Sequence, residues 1–325
     1  MQKLKINIFN SISVICPVYN EEKFIEKVIL FFINANPQEK QLIIVDGGST
    51  DRTTEIVKKI SSSFPDIILL HNDERYVPFA LNMAIKYCKY DIIARIDAHC
   101  EYASDYFEKI IETFNTVDAD IVGGPTNVKS KTLFQRAVGK AICSKFGIGD
   151  SKVHDKNFRG YVDHVTFGAW KKILFSEVGL FDERLYRNQD DEFHYRAKSK
   201  GKKVFLNPDI HLWYYPRNSL YSLMKQYYQY GLYKPLVLLK VKSELKLRHL
   251  IPSIFFVYLL VIPFILSSFI SIPLISYLIL DLVFTFNSDL SFKGKILLFF
   301  LFPAIHLSYG CGFIFGIFKL LSKRN

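Results

Sequence analysis

Four short apolar runs, each followed by a stretch with helical spacing, occupy the first hundred residues, and this alternation restricts the fold more than any other feature. The runs are Ile12 to Cys16, Leu42 to Val45, Ile67 to Leu70 and Ile92 to Ile96. Between them, Phe24, Ile25, Val28, Ile29 and Phe32 mark one helical face. Ile56, Val57 and Ile60 mark a second, and Leu81, Ala84, Ile85 and Cys88 a third. Buried strands alternating with amphipathic helices of this length predict an α/β protein with a mostly parallel sheet and helices on both faces. Asn20 and Ser49 are suited to cap the first two helices, and Pro78 to open the third.

Functional groups in such sheets collect where the strands end. Here the ends read Pro17-Val18-Tyr19-Asn20-Glu21, Asp46-Gly47-Gly48-Ser49-Thr50-Asp51, Asn72-Asp73-Glu74-Arg75 and Asp97-Ala98-His99. The glycines after Asp46 permit a tight turn with close backbone approach to a ligand. A carboxylate and an imidazole two residues apart suit a divalent cation, and a cation there would hold a phosphate. The plainer alternative is that Asp97 caps the next helix and His99 is solvated. Acids arriving from three strands at one edge favour a ligand that uses them all. No Gly-Lys-Ser/Thr follows Gly47-Gly48 and no GxGxxG follows the first strand, so neither familiar phosphate loop is present.

Together the Pro17-to-Glu21 motif, the Val45-to-Asp51 motif and the acid ending the fourth strand resemble the GT-A nucleotide-diphospho-sugar fold. The resemblance is to the inverting family 2 glycosyltransferases, in particular the succinoglycan-type exopolysaccharide branch, over roughly residues 11 to 235. It implies that Pro17, Tyr19, Glu21 and Asp46 contact the nucleoside and that Asp97 holds a metal bridging the diphosphate. Asp97-Ala98-His99 stands where many relatives have Asp-x-Asp, which makes His99 a candidate second ligand and shifts preference from Mg2+ toward Mn2+. Arg75 is a candidate diphosphate contact.

Further along, Ser104 is placed to cap a helix bearing Phe107, Ile110, Ile111 and Phe114, and Ile121 to Pro125 reads as a strand bending at its end. Residues 127 to 165 are polar and weakly patterned, either an acceptor-side loop or an ordinary connector. His154 and His164 lie there and read as surface or hydrogen-bonding residues. The run Gln189-Asp190-Asp191-Glu192-Phe193-His194-Tyr195-Arg196 places three acids at the start of a probable helix, where they complement its dipole. The family supplies its catalytic base from such a motif; aligning Glu192 and Arg196 with it puts the base at Asp190, with Asp191 as the fallback. His211, Trp213, Tyr214 and Tyr215 follow. Gln226 lacks the Gln-x-x-Arg-Trp continuation of processive members, which favours addition of single sugars.

The formal charge of +11 suggests nucleic acid only until its placement is considered. Leu250 to Phe286 carries one charge, Asp281, and Ile296 to Phe318 none besides His306. Both reach the ~20 apolar residues a bilayer crossing needs. Lys234, Lys240, Lys242, Lys246 and Arg248 precede the first run, a positive-inside pattern that places the N-terminal part in the cytoplasm and excludes nucleic acid as partner. Prolines near Ser271-Ile272-Pro273 permit a hinge, and the basic residues Lys293, Lys295, Lys319, Lys323 and Arg324 leave the number of crossings open. Five scattered cysteines read as reduced thiols, and the first ten residues show no signal-peptide pattern. These readings give a catalytic domain over 1–235 and a juxtamembrane and membrane segment over 236–325. The expected protein is an inverting, metal-dependent transferase at the plasma membrane. It would move sugar from a nucleotide-diphospho-sugar, by family resemblance a UDP-sugar, to a lipid-linked or saccharide acceptor. The alternative is a non-catalytic membrane nucleotide-sugar-binding or assembly module.

Overall fold

The computed structural model describes residues 8–149, 151–241, 245–264 and 271–322. The chain forms two units, residues 1–127 with 152–214, and residues 128–151 with 215–325.

The first unit begins β1 (Ile12–Val18), α1 (Ile25–Asn34), β2 (Lys40–Asp46), α2 (Thr53–Ser61), β3 (Ile67–His71), α3 (Val77–Tyr87) and β4 (Ile92–Arg95). Next come β5 (Cys100–Tyr102), α4 (Tyr106–Thr116), β6 (Ile121–Gly123) and β7 (Thr126–Val128). The chain then gives α5 (Leu133–Ile142) and α6 (Lys145–Ile148) to the second unit. It returns with β8 (Gly160–Tyr161), β9 (Ala169–Lys171), α7 (Leu174–Glu177), α8 (Gln189–Ser199), β10 (Val204–Leu206) and β11 (Leu212–Tyr214).

Eight strands form one mixed sheet in the order β3-β2-β1-β4-β9-β6-β10-β8, and β5-β11-β7 form a smaller one. The four leading strands run parallel, while β9 lies antiparallel between β4 and β6. Period-two alternation divides their side chains between two cores. Val14, Cys16, Leu42, Ile44, Ile92 and Ala94 pack on one face with residues of α1 and α4. Ile15, Ile43, Val45 and Ile93 pack on the other with residues of α3 and α8. Register brings the strand tips level, with Asp46 opposite both Val18 and His71, and Arg95 opposite Ile15.

The helix entries differ from the sequence expectation. Asn20 and Ser49 serve each other's loops: Asn20 N–H donates to Ser49 Oγ at 2.8 Å and Asn20 Oδ1 accepts from Thr50 N–H at 2.8 Å. Asp51 Oδ1 accepts from Thr53 N–H at the start of α2 instead. Ser104 does not cap α4, whose N-cap position is Asp105 without a side-chain bond. Pro78 does sit in the first turn of α3.

The second unit adds α9 (Leu220–Lys240), α10 (Leu247–Val261), α11 (Ile272–Phe286) and α12 (Phe292–Ser322). Two of its helical stretches, Leu247–Phe264 and Phe292–Ser322, are long and apolar enough to cross a membrane; α11 is shorter. The backbones of α9 and α12 approach closely through small residues. A Cβ on Gly231 would collide with Tyr309 O, and one on Gly312 with Tyr228 O. Small residues that let helix backbones meet are the common device of packing in lipid. Far from being a loop, the 128–151 stretch packs Ala137, Val138, Ala141 and Ile142 of α5 against Leu298, Leu301, Phe302 and Ile305 of α12. The Lys242, Lys323 and Arg324 charges lie outside the described residues.

Candidate active site

Built from β1 and β2 outward, the edge begins with two interlocked turns. Glu21 N–H donates to Thr53 Oγ1 at 2.7 Å, and Glu22 N–H to Asp51 Oδ2 at 3.1 Å. Asp46 Oδ2 accepts from Gly48 N–H and Ser49 N–H, both at 3.0 Å. That turn needs Gly48 at φ 77°, a backbone conformation costly for residues with a Cβ. It also needs Gly47, whose added Cβ would lie 2.9 Å from Arg75 O. Two buried acceptors remain: Asp46 Oδ1 and Glu21 Oε2 have no hydrogen-bond partner among the described residues. A buried carboxylate oxygen without a donor is costly, and its presence at a strand tip marks a place for a ligand's donors.

Tyr19 and Arg75 are brought together: the guanidinium carbon lies 4.0 Å from the ring centroid, a cation–π geometry. Next to it Tyr76 stacks on Tyr186, centroids 3.6 Å apart and planes within 4°. Pro17 stays in β1, in register with Val45.

The strand carrying the presumed metal motif stops earlier than its apolar run implies. β4 ends at Arg95, and Asp97 lies in the following turn, its N–H donating to Tyr102 Oη at 2.7 Å. Asp97 Oδ1 accepts from His99 N–H at 3.3 Å, and its side chain is 26% exposed. The His99 imidazole reaches Glu21, Nε2 to Oε1 being 2.8 Å, and meets the Phe24 ring edge-on. Among the described residues no three His, Cys, Asp or Glu side chains gather as a metal cage. The Asp97 carboxylate is nevertheless a suitable single anchor, since its contacts are long and small hard cations are commonly held by one or two carboxylates plus substrate phosphates and water.

Three neighbouring acids of α8 meet three different cations or rings. Glu192 is fully enclosed and pairs with Arg196, Oε1 accepting from Nε at 2.8 Å and Oε2 from Nη2 at 3.0 Å. Asp191 Oδ1 lies 3.9 Å from His164 Nε2. Asp190 receives both its bonds from Arg95 Nη1, at 3.1 Å to Oδ1 and 2.8 Å to Oδ2. Burial raises the Asp190 pKa above the ordinary carboxylate value; Arg95 opposes this, and the charges of Asp191 and Asp97 add to it. Arg95 Nη2 is also 3.6 Å from Asp97 Oδ2. Asp97 and Asp190, 93 positions apart in sequence, therefore share one buried cation.

Behind α8, burial pushes the His194 pKa down to about 3, and His194 Nε2 accepts from Trp170 Nε1–H at 3.1 Å. His154 is a hydrogen-bonding residue, Nδ1 lying 3.0 Å from Thr126 O. His211 stacks against Trp213. Arg95 and Tyr102 were not singled out from the sequence. Arg95 sits inside an apolar run, Ile92 to Ile96, and a lone arginine in a buried strand is itself the signal, because a buried guanidinium requires acids.

Residues 13–177 match the family model described as Glycosyl transferase family 2. The succinoglycan biosynthesis protein ExoA of Rhizobium meliloti is 31% identical over 242 residues, which cover 74% of this chain and 73% of the relative. A Methanococcus voltae protein named dolichyl N-acetyl-alpha-D-glucosaminyl phosphate 3-beta-D-2,3-diacetamido-2,3-dideoxy-beta-D-glucuronosyltransferase is 29% identical and aligns over 97% of this chain and 98% of its own. Among solved structures, the mannosyltransferase PcManGT of Pyrobaculum calidifontis in complex with GDP-Man and Mn2+ superposes with a TM-score of 0.59 at 15% identity, covering 95% of this chain and 87% of that one. S. aureus TarS 1-349 in complex with UDP-GlcNAc gives 0.54 at 14% identity, covering 94% and 90%. With the motif order, the mixed sheet and these matches in agreement, the chain belongs to glycosyl transferase family 2 and has the GT-A fold.

Proposed function

We propose that the protein is a membrane-anchored, inverting, metal-dependent glycosyltransferase that moves a sugar from a nucleotide-diphospho-sugar, a UDP-sugar foremost, to a lipid-linked or growing polysaccharide acceptor. The observation that carries this reading is the convergence of Asp97 and Asp190 on Arg95 at the carboxyl edge of the sheet. It supports the reading because displacement at an anomeric carbon needs a donor-side and an acceptor-side acid in one centre, the roles assigned to Asp97 and Asp190 under this proposal.

The orphaned oxygens of Glu21 and Asp46 would accept from a nucleoside's N–H and hydroxyl groups, and Tyr19 and Pro17 are the further candidate nucleoside contacts. Arg75, over the Tyr19 ring, is the candidate contact for a diphosphate. Asp97, with His99 as the second candidate, would hold Mn2+ or Mg2+, which when bound supplies charge neutralisation for the departing diphosphate. Asp190 takes the proton from the acceptor hydroxyl as that oxygen attacks. A carboxylate whose pKa is raised by burial is the stronger base, and proton transfer of this kind typically contributes ~10²–10⁴-fold. In-line attack from the face opposite the leaving group inverts the anomeric centre.

Membrane anchoring rests on the two long apolar helices and on the basic residues Lys240, Lys246 and Arg248 that lead into the first of them. By the positive-inside rule these put the catalytic unit on the cytoplasmic side of the plasma membrane. A lipid-linked or polysaccharide acceptor follows the names of the Methanococcus and Rhizobium relatives.

The test is a panel of UDP- and GDP-sugars offered to the full-length protein with extracted membrane lipids, with and without EDTA, the anomeric configuration of the product being read by NMR. Metal-dependent transfer with inversion supports the reading. Tight binding of nucleotide without turnover of any donor would favour the binding-module alternative instead.

A further inference from the structure

Arg95 is an unusual residue for its position. It ends β4, is 5% exposed, and follows three uncharged residues whose side chains fill the two cores. Its backbone is fixed on both sides: Arg95 pairs with Ile15 in β1, and its N–H donates to Gly168 O at 3.1 Å. The guanidinium lies 5.3 Å from the Phe167 ring centroid, and Nε has no partner among the described residues. Among the described residues the other guanidinium nitrogens reach two acids, Nη1 to Asp190 and Nη2 to Asp97.

The exposures of the three side chains are ordered. Asp97 is 26% exposed and Asp190 22%, whereas Arg95 is 6% exposed. The cation thus lies beneath the two carboxylates and leaves their outer sides to solvent. Asp190 stands in the first turn of a helix whose entry residue, Asn188, has φ 62°. Both carboxylate oxygens of Asp190 accept from the sheet-borne Arg95 Nη1.

We propose that Arg95 is a positioning residue that holds the Asp190 base in a fixed orientation relative to Asp97, without itself touching substrate. This deepens the proposed transferase reading and rests on it. Two carboxylates facing one cleft repel each other; a buried guanidinium in contact with both offsets that repulsion and fixes their separation. Lysine keeps the charge but not the planar fork, so charge and geometry are separable by substitution.

The experiment compares Arg95→Lys, Arg95→Met and Asp190→Asn with the wild-type full-length protein in detergent, using the donor that the nucleotide-sugar panel identifies. Nucleotide binding is read separately, by calorimetry with UDP–Mn2+ and GDP–Mn2+. The expected result is a loss in kcat of at least 100-fold for Arg95→Met and about 10-fold for Arg95→Lys. Dissociation constants for the nucleoside diphosphate stay within 3-fold and melting temperatures of the lysine variant stay unchanged. A residue that merely supports the fold would lower binding, melting temperature and kcat together, which would overturn the proposal. So would full activity in Arg95→Met. Full activity in Asp190→Asn would instead remove the base assignment on which the proposal stands, and the two failures are distinguishable.

Discussion

His99 Nε2 lies 2.8 Å from Glu21 Oε1, so the imidazole two residues after Asp97 is engaged with the acid that follows β1. Replacing His99 with Gln is expected to raise the Mn2+ concentration for half-maximal activity by about tenfold and to weaken nucleotide binding no more than Glu21→Gln does. An unchanged Mn2+ requirement in His99→Gln would show that the imidazole serves Glu21 and leaves the metal to Asp97.

Asp190 and Asp191 are separable by pH. Burial raises the Asp190 pKa, and the neighbouring Asp191 charge raises it further. The acid limb of kcat/KM should therefore lie above the ordinary carboxylate range. Removing the Asp191 charge as Asn favours the ionised form of Asp190 and moves that limb to lower pH, activity being retained at neutral pH. Asp190→Asn abolishes transfer across the whole range. Loss of all activity in Asp191→Asn would transfer the base role to Asp191.

The third acid has a different expected phenotype. Glu192 is enclosed with Arg196, and removal of one partner of such a pair costs ~3–5 kcal/mol. Glu192→Ala should lower the melting temperature strongly while the folded fraction keeps its nucleotide affinity. Unchanged thermal stability would contradict the pairing.

His194 predicts an acid-sensitive fold. Its folded pKa, about 3, lies below the ~6.5 of an unfolded histidine, so the unfolded chain binds more protons in the window between them. Its contribution is fully present above the unfolded value and declines as pH falls toward 3. From pH 7 to pH 5 this amounts to about 2 kcal/mol. His194→Gln should flatten the decline of melting temperature over that interval; a parallel slope would disprove it.

Helix contact in the second unit depends on Gly312, whose Cβ position is occupied by Tyr228 O. Gly312→Leu is expected to separate α9 from α12 and destabilise the protein by ~1–3 kcal/mol or more. Detergent-dependent melting measures this, and an unaffected melting curve would contradict the close approach.

The alternating apolar runs made the order of the first four strands and the edge they share readable, because buried strands and amphipathic helices leave different periodicities. Glu21, Asp46 and Asp97 stood out because they follow those runs, and Asp190 through the family resemblance alone. What could not be read was their pairing. Asp190 meets Arg95 across 95 positions of sequence, and no local pattern encodes which cation a helix-borne acid will find. The helices of 128–151 were hidden for a related reason: four inward residues of α5 are alanine, valine and isoleucine set among lysines, arginine and glycines, and their apolar partners lie about 160 positions further on. Asn20 and Ser49 looked like caps because capping is a local rule, whereas a neighbouring strand's loop offered better geometry.

The chain passes between its two units three times, at residues 127–128, 151–152 and 214–215. Residues 128–151 of the helical unit are thus an insertion within the chain of the other unit. Truncation between Tyr214 and Leu298 to obtain a water-soluble enzyme would strip α5 of Leu298, Leu301, Phe302 and Ile305 and leave its apolar face uncovered. A soluble version would need residues 128–151 removed as well and Asn127 rejoined to Lys152 by a polar linker.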